Sequence, residues 1–132
     1  MIIFPKAAFE AIQTHAQRDL PNEACGYLVG KTGEVVYALP MTNVDASPEH
    51  YTFDPQEQFN AYNRVKAEGL TLMGVYHSHP NTPARPSQED IKLAYDPNVS
   101  YVIVSLAGEK PDVKSFRIVK GEVTPETIKV VP

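Results

Sequence analysis

Two hydrophobic periods alternate along this chain. Phe9, Ile12 and Ala16 recur three and four residues apart, as one buried helix face requires, and predict a helix that starts at Pro5 and stops near Pro21. Pro5 suits a first turn because its missing N–H would find no partner there. From Gly26 the pattern shortens. Tyr27, Leu28 and Val29 form one apolar run and Val35, Val36 and Tyr37 another, with Lys31, Thr32 and Gly33 between them, which predicts two strands joined by a turn. Met41 to His50 carries Asn43, Asp45, Ser47 and Pro48 without any period and reads as a loop, and Tyr51 to Asp54 is a short strand candidate. Asp54 before Pro55 has the form of an N-cap and first turn. In the helix that follows, Phe59, Tyr62 and Val65 mark a buried side and Gly69 an end.

Leu72, Met73, Val75 and Tyr76 predict a strand that runs directly into His77, Ser78, His79 and Pro80. A polar loop with Pro83 and Pro86 leads to Ser87, and a helix is expected over residues 88–95. Tyr101 to Leu106 is apolar enough for a central strand, Val113 to Val119 alternates as a more exposed one, and Ile128, Val130 and Val131 supply a last one. This order predicts an α+β fold, an α/β-like three-layer sandwich of a single mixed, twisted sheet flanked by helices, in one domain spanning residues 1–132.

Composition narrows the function classes. Sixteen Asp and Glu against twelve Lys and Arg leave a net charge of -4, which argues against a nucleic-acid footprint and against anionic membranes. One cysteine cannot form an internal disulfide, and no 18-residue apolar run or charged-then-apolar leader is seen. A cytoplasmic protein is expected. Twelve prolines are many for this length, and three of them, Pro80, Pro83 and Pro86, lie between the most polar strand end and the next helix.

That strand end carries the candidate chemistry. His77 and His79 are two apart on a strand, so their imidazoles share a face and can reach one ion, and Pro80 places them at the end of the sheet. Asp90 falls in the first turn of the helix after Ser87, where the positive helix end favours a carboxylate. Two histidines and one carboxylate with a fourth position open form a catalytic zinc pattern. Ser87 and Asp90 also have the spacing of an N-terminal capping pair, and the two readings are compatible. Spacing alone does not select Glu23 from the other glutamates.

The run His77, Ser78, His79, Pro80, six residues, Ser87, two residues, Asp90 resembles the JAMM or MPN-type metalloprotease signature, H-[ST]-H-P-x6-S-x-x-D. Glu23, ahead of Gly26, Tyr27, Leu28, Val29 and Gly30, matches that family's upstream glutamate and its following strand. The resemblance implies the cytidine-deaminase-like JAMM/MPN fold and one zinc ion per chain with a bound water. It further implies His77, His79 and Asp90 as ligands, Glu23 as general acid and base, and Ser87 as the group that steadies the tetrahedral intermediate. The short 41–55 segment is similar to the small prokaryotic branch. That likeness implies a peptidase acting after the C-terminal Gly-Gly of a ubiquitin-like protein, trimming cysteine or a short peptide from a sulfur-carrier protein. Two alternatives accompany it: an isopeptidase for lysine-linked ubiquitin-like conjugates, and a non-catalytic MPN-type interaction module. Cys25 near Glu23 is the rival nucleophile, but it leads into an apolar strand as a buried small hydrophobe would. A cupin-like metal site expects a glutamate three or four residues past the second histidine, where Thr82 and Pro83 stand. His15 and His50 read as surface or loop histidines, and Arg85 as a solvated loop arginine. Oligomeric state is not legible.

Overall fold

The computed structural model describes residues 1–132. In chain order the elements are β1 (Ile2–Pro5), α1 (Lys6–Arg18), β2 (Cys25–Lys31), β3 (Glu34–Met41), α2 (Pro55–Ala67), β4 (Thr71–His79), α3 (Gln88–Lys92), β5 (Ser100–Ser105), β6 (Asp112–Val119), β7 (Glu122–Glu126) and β8 (Ile128–Val131). The eight strands form one mixed sheet in the order β7-β6-β5-β4-β2-β3-β1-β8, with β4/β5, β1/β3 and β1/β8 parallel. No helix is long and apolar enough to cross a membrane.

Strand alternation sorts the core into two layers. Leu28, Tyr76, Val102 and Val104 face α1 and pack with its Ala8, Ile12 and Ala16, together with Ile2 and Phe4 of β1. Each fully buried aliphatic or aromatic side chain in this layer contributes ~1.5–3 kcal/mol. Cys25, Tyr27 and Val75 face the other way, towards Ala61 of α2, and Ile103, Phe116 and Ile118 pack on the same side against Ile91 and Ala94. The three-layer arrangement follows. Gly26 is required where β2 passes Tyr76, because a Cβ there would collide with the Tyr76 ring and the Leu39 carbonyl.

β7 and β8 occupy opposite ends of the sheet yet are separated only by Thr127, whose carbonyl accepts the Ile2 N–H at 2.9 Å. One bent extended segment thus links β6 to β1, and the sheet curls until its edges meet. Glu126 holds the bend. Its Oε1 accepts the Ser100 and Ser115 hydroxyls, both at 2.7 Å, while Oε2 lies 3.2 Å from Arg117 Nε and 3.7 Å from the Met1 amino group. Burial alone would raise this carboxyl, but the two hydroxyls and Arg117 more than offset it and hold it below the ordinary range. A depressed carboxylate contributes stability that is present above its unfolded pKa and lost as pH falls through the folded one. We expect Glu126→Ala to cost about 2–3 kcal/mol in chemical denaturation at neutral pH, because two buried hydroxyls lose their acceptor. The difference from the parent should shrink in acid. Equal denaturation midpoints at pH 7 would show that Glu126 does not hold the closure.

Several elements differ from the sequence expectation. Pro5 ends β1 and precedes α1, with Ile2 and Phe4 buried by strand alternation, and α1 stops at Arg18. The 51–54 segment forms only an isolated bridge between Phe53 and Asn43, and α3 ends at Lys92. On α2, Ala61 and Val65 are the buried residues, while Phe59 and Tyr62 are 57% and 56% exposed. Tyr27, Tyr51 and Phe53 already fill the sheet face there, so the helix meets it through its smaller side chains. β7 carries no strand signal in the sequence, since its residues are largely exposed and include Pro125.

Candidate active site

β4 delivers both histidines to the face that α2 and α3 cover. The two Nε2 atoms lie 3.1 Å apart, and Asp90 Oδ2 lies 3.2 Å from that of His77 and 3.0 Å from that of His79. Asp90 is held there by a complete capping box: the Ser87 N–H donates to Asp90 Oδ2 at 2.9 Å, and the Asp90 N–H donates to Ser87 Oγ at 3.0 Å. Pro86 and Ser87 thus start the helix that carries the carboxylate back to the strand end. The capping and ligating readings of Ser87 and Asp90 coexist in one geometry. Ser87 accepts through its hydroxyl oxygen, which leaves its own proton free to donate.

Whether a metal fits can be read from the lone pairs. The Pro83 carbonyl, 2.9 Å from His79 Nδ1, can only accept, so it places a proton on Nδ1 and turns the Nε2 lone pair towards Asp90 and His77. Two imidazole nitrogens and a carboxylate oxygen therefore converge, all within 4.8 Å of one another. Asp90 Oδ2 has the Ser87 N–H, and shared protons or a cation would satisfy the three groups together. Tetrahedral ligands at ~2.0–2.1 Å from zinc stand ~3.3–3.4 Å apart, close to the spacing seen, so the donor set fits a metal. Burial alone would raise the Asp90 carboxyl, yet its hydrogen bonds to His77 and His79 hold it well below the usual range. Burial opposes charge on His79, but Asp90 and the Pro83 carbonyl raise its pKa on balance.

Glu23 reaches the same face by strand register. Cys25 pairs with His77, and the Ser78 N–H donates to the Ala24 carbonyl at 3.0 Å, so Glu23 comes opposite His79. It is 4% exposed, and its Oε1 is buried without a hydrogen-bond partner. Burial pushes its pKa up to about 8, with His79 pulling it down and Asp90 and Glu89 pushing it further up. A buried carboxylate without a donor and with a raised pKa is a candidate functional group.

Among the remaining residues, His15 departs from expectation while His50, Arg85 and Cys25 follow it. His15 is buried, not on the surface: its Nδ1 lies 2.7 Å from the Tyr76 hydroxyl and its Nε2 3.0 Å from Asp19 Oδ2. Its place at i+3 from Ile12 on the apolar face of α1 was the available signal. His50 is exposed and pairs with Asp45 Oδ2 at 3.0 Å, and Arg85 is exposed. Cys25 is fully buried and its thiol is pushed up to about 12, first by burial, which makes it a poor nucleophile. Sequence reasoning did not single out Tyr51, whose ring stacks on that of His77 with centroids 4.9 Å apart at 31°. It lines a groove of about 550 Å³ that also takes in Phe53, Leu93, Tyr95, His77 and Asp90. Of the three converging groups, His77 and Asp90 line this groove.

Comparison with known proteins agrees with this geometry. Residues 5–119 match the model described as prokaryotic homologs of the JAB domain. The chain is 40% identical over 124 residues to the CysO-cysteine peptidase of Mycobacterium tuberculosis, covering 92% of this chain and 85% of that one. It is 36% identical over 123 residues to a probable TtuB-protein conjugate cleaving protease of Thermus thermophilus, covering 92% and 79%. A Desulfitobacterium hafniense protein solved in solution superposes with a TM-score of 0.91 at 46% identity, over 99% of this chain and 93% of that one. A sheet end bearing the JAMM-type signature, matched over most of its length by relatives of that kind, places this chain in the family of prokaryotic JAB-domain proteins.

Proposed function

We propose that this chain is a zinc-dependent peptidase that cleaves after the C-terminal Gly-Gly of a small ubiquitin-like sulfur-carrier protein, releasing cysteine or a short peptide, with residues 1–132 as one catalytic domain. The observation that carries the reading is the convergence of His77, His79 and Asp90 beside a groove that His77 and Asp90 line, with the unpartnered Glu23 carboxyl on the same face. The 40% identity to a CysO-cysteine peptidase supports the substrate class.

His77, His79 and Asp90 would hold the ion, and zinc so held supplies the Lewis acidity that lowers a water's pKa towards ~7 and polarises a carbonyl. The chain's own residues do the rest. Glu23 takes the proton of the attacking water and passes it to the leaving amine, a role its lack of any competing hydrogen bond allows. The Ser87 hydroxyl, whose proton the capping box leaves free, donates to the carbonyl oxygen as charge builds there. Tyr51, Phe53, Leu93 and Tyr95 line the groove, and a glycine-ended tail passes between them because it has no side chains to clash.

The test is direct. Purified, zinc-loaded protein is mixed with a Gly-Gly carrier capped by cysteine and with the same carrier linked to a lysine side chain, and the products are weighed by mass spectrometry. Release of cysteine from the first at a higher kcat/KM than cleavage of the second is expected. The opposite ranking would assign the chain to isopeptide cleavage, as the likeness to the conjugate cleaving protease would then favour. No cleavage of either would leave a binding module.

A further inference from the structure

Register sets Glu23 opposite His79, and the hydrogen bonds of its own main chain fix where its side chain starts. Its Oε1 is sealed from solvent and unpartnered, so no hydrogen bond at that atom fixes its direction. The residue also precedes β2: the bonds to β4 begin at Ala24, and the N–H and carbonyl of Glu23 itself do not join them. Its backbone groups are held instead by the 43–53 segment: the Glu23 N–H donates to the Ser47 carbonyl at 2.8 Å, and the Glu23 carbonyl accepts from Asn43 Nδ2 at 3.1 Å.

Asn43 spends its whole carboxamide on this arrangement. Nδ2 donates a second bond to the His50 carbonyl at 3.1 Å, and Oδ1 accepts from the Asp45 N–H at 3.1 Å and the Thr52 N–H at 3.3 Å. An amide side chain has two donors and two acceptor lone pairs, so all four are engaged. Exchanging O and N would set an oxygen against two carbonyls and an NH₂ against two N–H groups, so the orientation has one solution. The same segment sets Tyr51 against the His77 ring. One loop, pinned at Asn43, therefore meets Glu23 through its main chain and a ligand imidazole through an aromatic ring.

We propose that Asn43 is a positioning residue whose carboxamide sets the direction of Glu23 relative to His77, His79 and Asp90. The proposal rests on the reading of Glu23 as general base, but its main-chain part is testable without any substrate. Asn43→Asp keeps the two acceptor bonds that shape the loop and turns an oxygen towards the Glu23 and His50 carbonyls, whereas Asn43→Ala removes both arms. In hydrogen exchange on the metal-free protein, the Glu23 amide, whose acceptor Ser47 lies in the loop that Asn43 pins, is expected to lose protection by about tenfold or more in Asn43→Ala, with the amides of β4 and β5 unchanged. On zinc-loaded protein, kcat for the cysteine-capped carrier is expected to fall about 10- to 100-fold, with KM and metal content within about twofold of the parent. In a Glu23→Gln background, Asn43→Asp should cause no further loss, because it acts through a carboxylate already removed. Unchanged protection at Glu23, or a loss of kcat equally large in the Glu23→Gln background, overturns the proposal. If the parent cleaves no Gly-Gly substrate, the functional reading fails, and the exchange result alone decides whether Asn43 holds Glu23.

Discussion

Glu23→Gln is expected to lower kcat by about 10²- to 10⁴-fold, the range over which a positioned acid or base acts, while leaving metal content at one per chain. The substitution conserves volume and removes only the ability to exchange a proton. It touches none of the atoms that converge at His77, His79 and Asp90. A second effect should accompany the first and run the other way. In the metal-free protein the Glu23 carboxyl is raised to about 8, so between its ordinary range and that value the folded state binds more protons than the unfolded state. Stability contributed at this position must then fall as pH rises through that window. Glutamine carries no such dependence. The metal-free variant should therefore unfold at a higher denaturant concentration than the metal-free parent near pH 8, and the difference should narrow towards pH 5. Parent-like turnover in the variant would remove Glu23 from the reaction. A variant less stable than the parent at pH 8 would show that its burial is not the dominant influence on the carboxyl.

How much of this was readable in advance depends on whether one element or several determine a feature. The pair His77 and His79 is written in a single strand, and Ser87 with Asp90 in a single helix start, so spacing and capping rules reach them directly. Glu23 is different. Nothing local distinguishes it, and only the antiparallel register of β2 on β4 sets it opposite His79. Resemblance to the family supplied what periodicity could not. The same logic explains the misplacements. Phe59 and Tyr62 have helical spacing, yet which face of α2 is buried depends on the aromatics that the 51–53 segment inserts beneath it. His15 lies on an apolar helix face, but its burial depends on two partners, Tyr76 from the facing strand and Asp19 at the helix end. β7 needs its pairing with β6 and the Glu126 bend to exist at all. Asn43 belongs with these, since its four bonds join residues from 23 to 52.

Asp90→Asn is expected to abolish stable metal retention. Replacing a residue that merely supports a ligand typically costs 10- to 100-fold in affinity, and Asp90 supplies a converging oxygen and the only negative charge of the three donors, so a loss beyond about 100-fold is expected. Competitive chelator titration, followed by absorption spectroscopy of the dialysed protein, measures it. Ser87→Ala separates ligation from capping: it removes the acceptor of the Asp90 N–H and so costs about 0.5–2 kcal/mol of stability, but the ligand atoms remain and the metal should stay. Hydrolysis should nevertheless drop in Ser87→Ala, because the donor to the developing oxyanion is gone. The parent's metal affinity should also weaken in acid. His79 has a raised pKa in the metal-free protein, and the proton that Asp90 helps to hold there must leave before Nε2 can bind an ion, so uptake releases a proton below that pKa. Asp90→Asn removes the charge that favours this proton, and its residual affinity should fall less steeply between pH 7 and pH 5 than the parent's. Metal retained by Asp90→Asn at the parent's level would place the third ligand elsewhere and leave Asp90 only as the acidic half of the capping box.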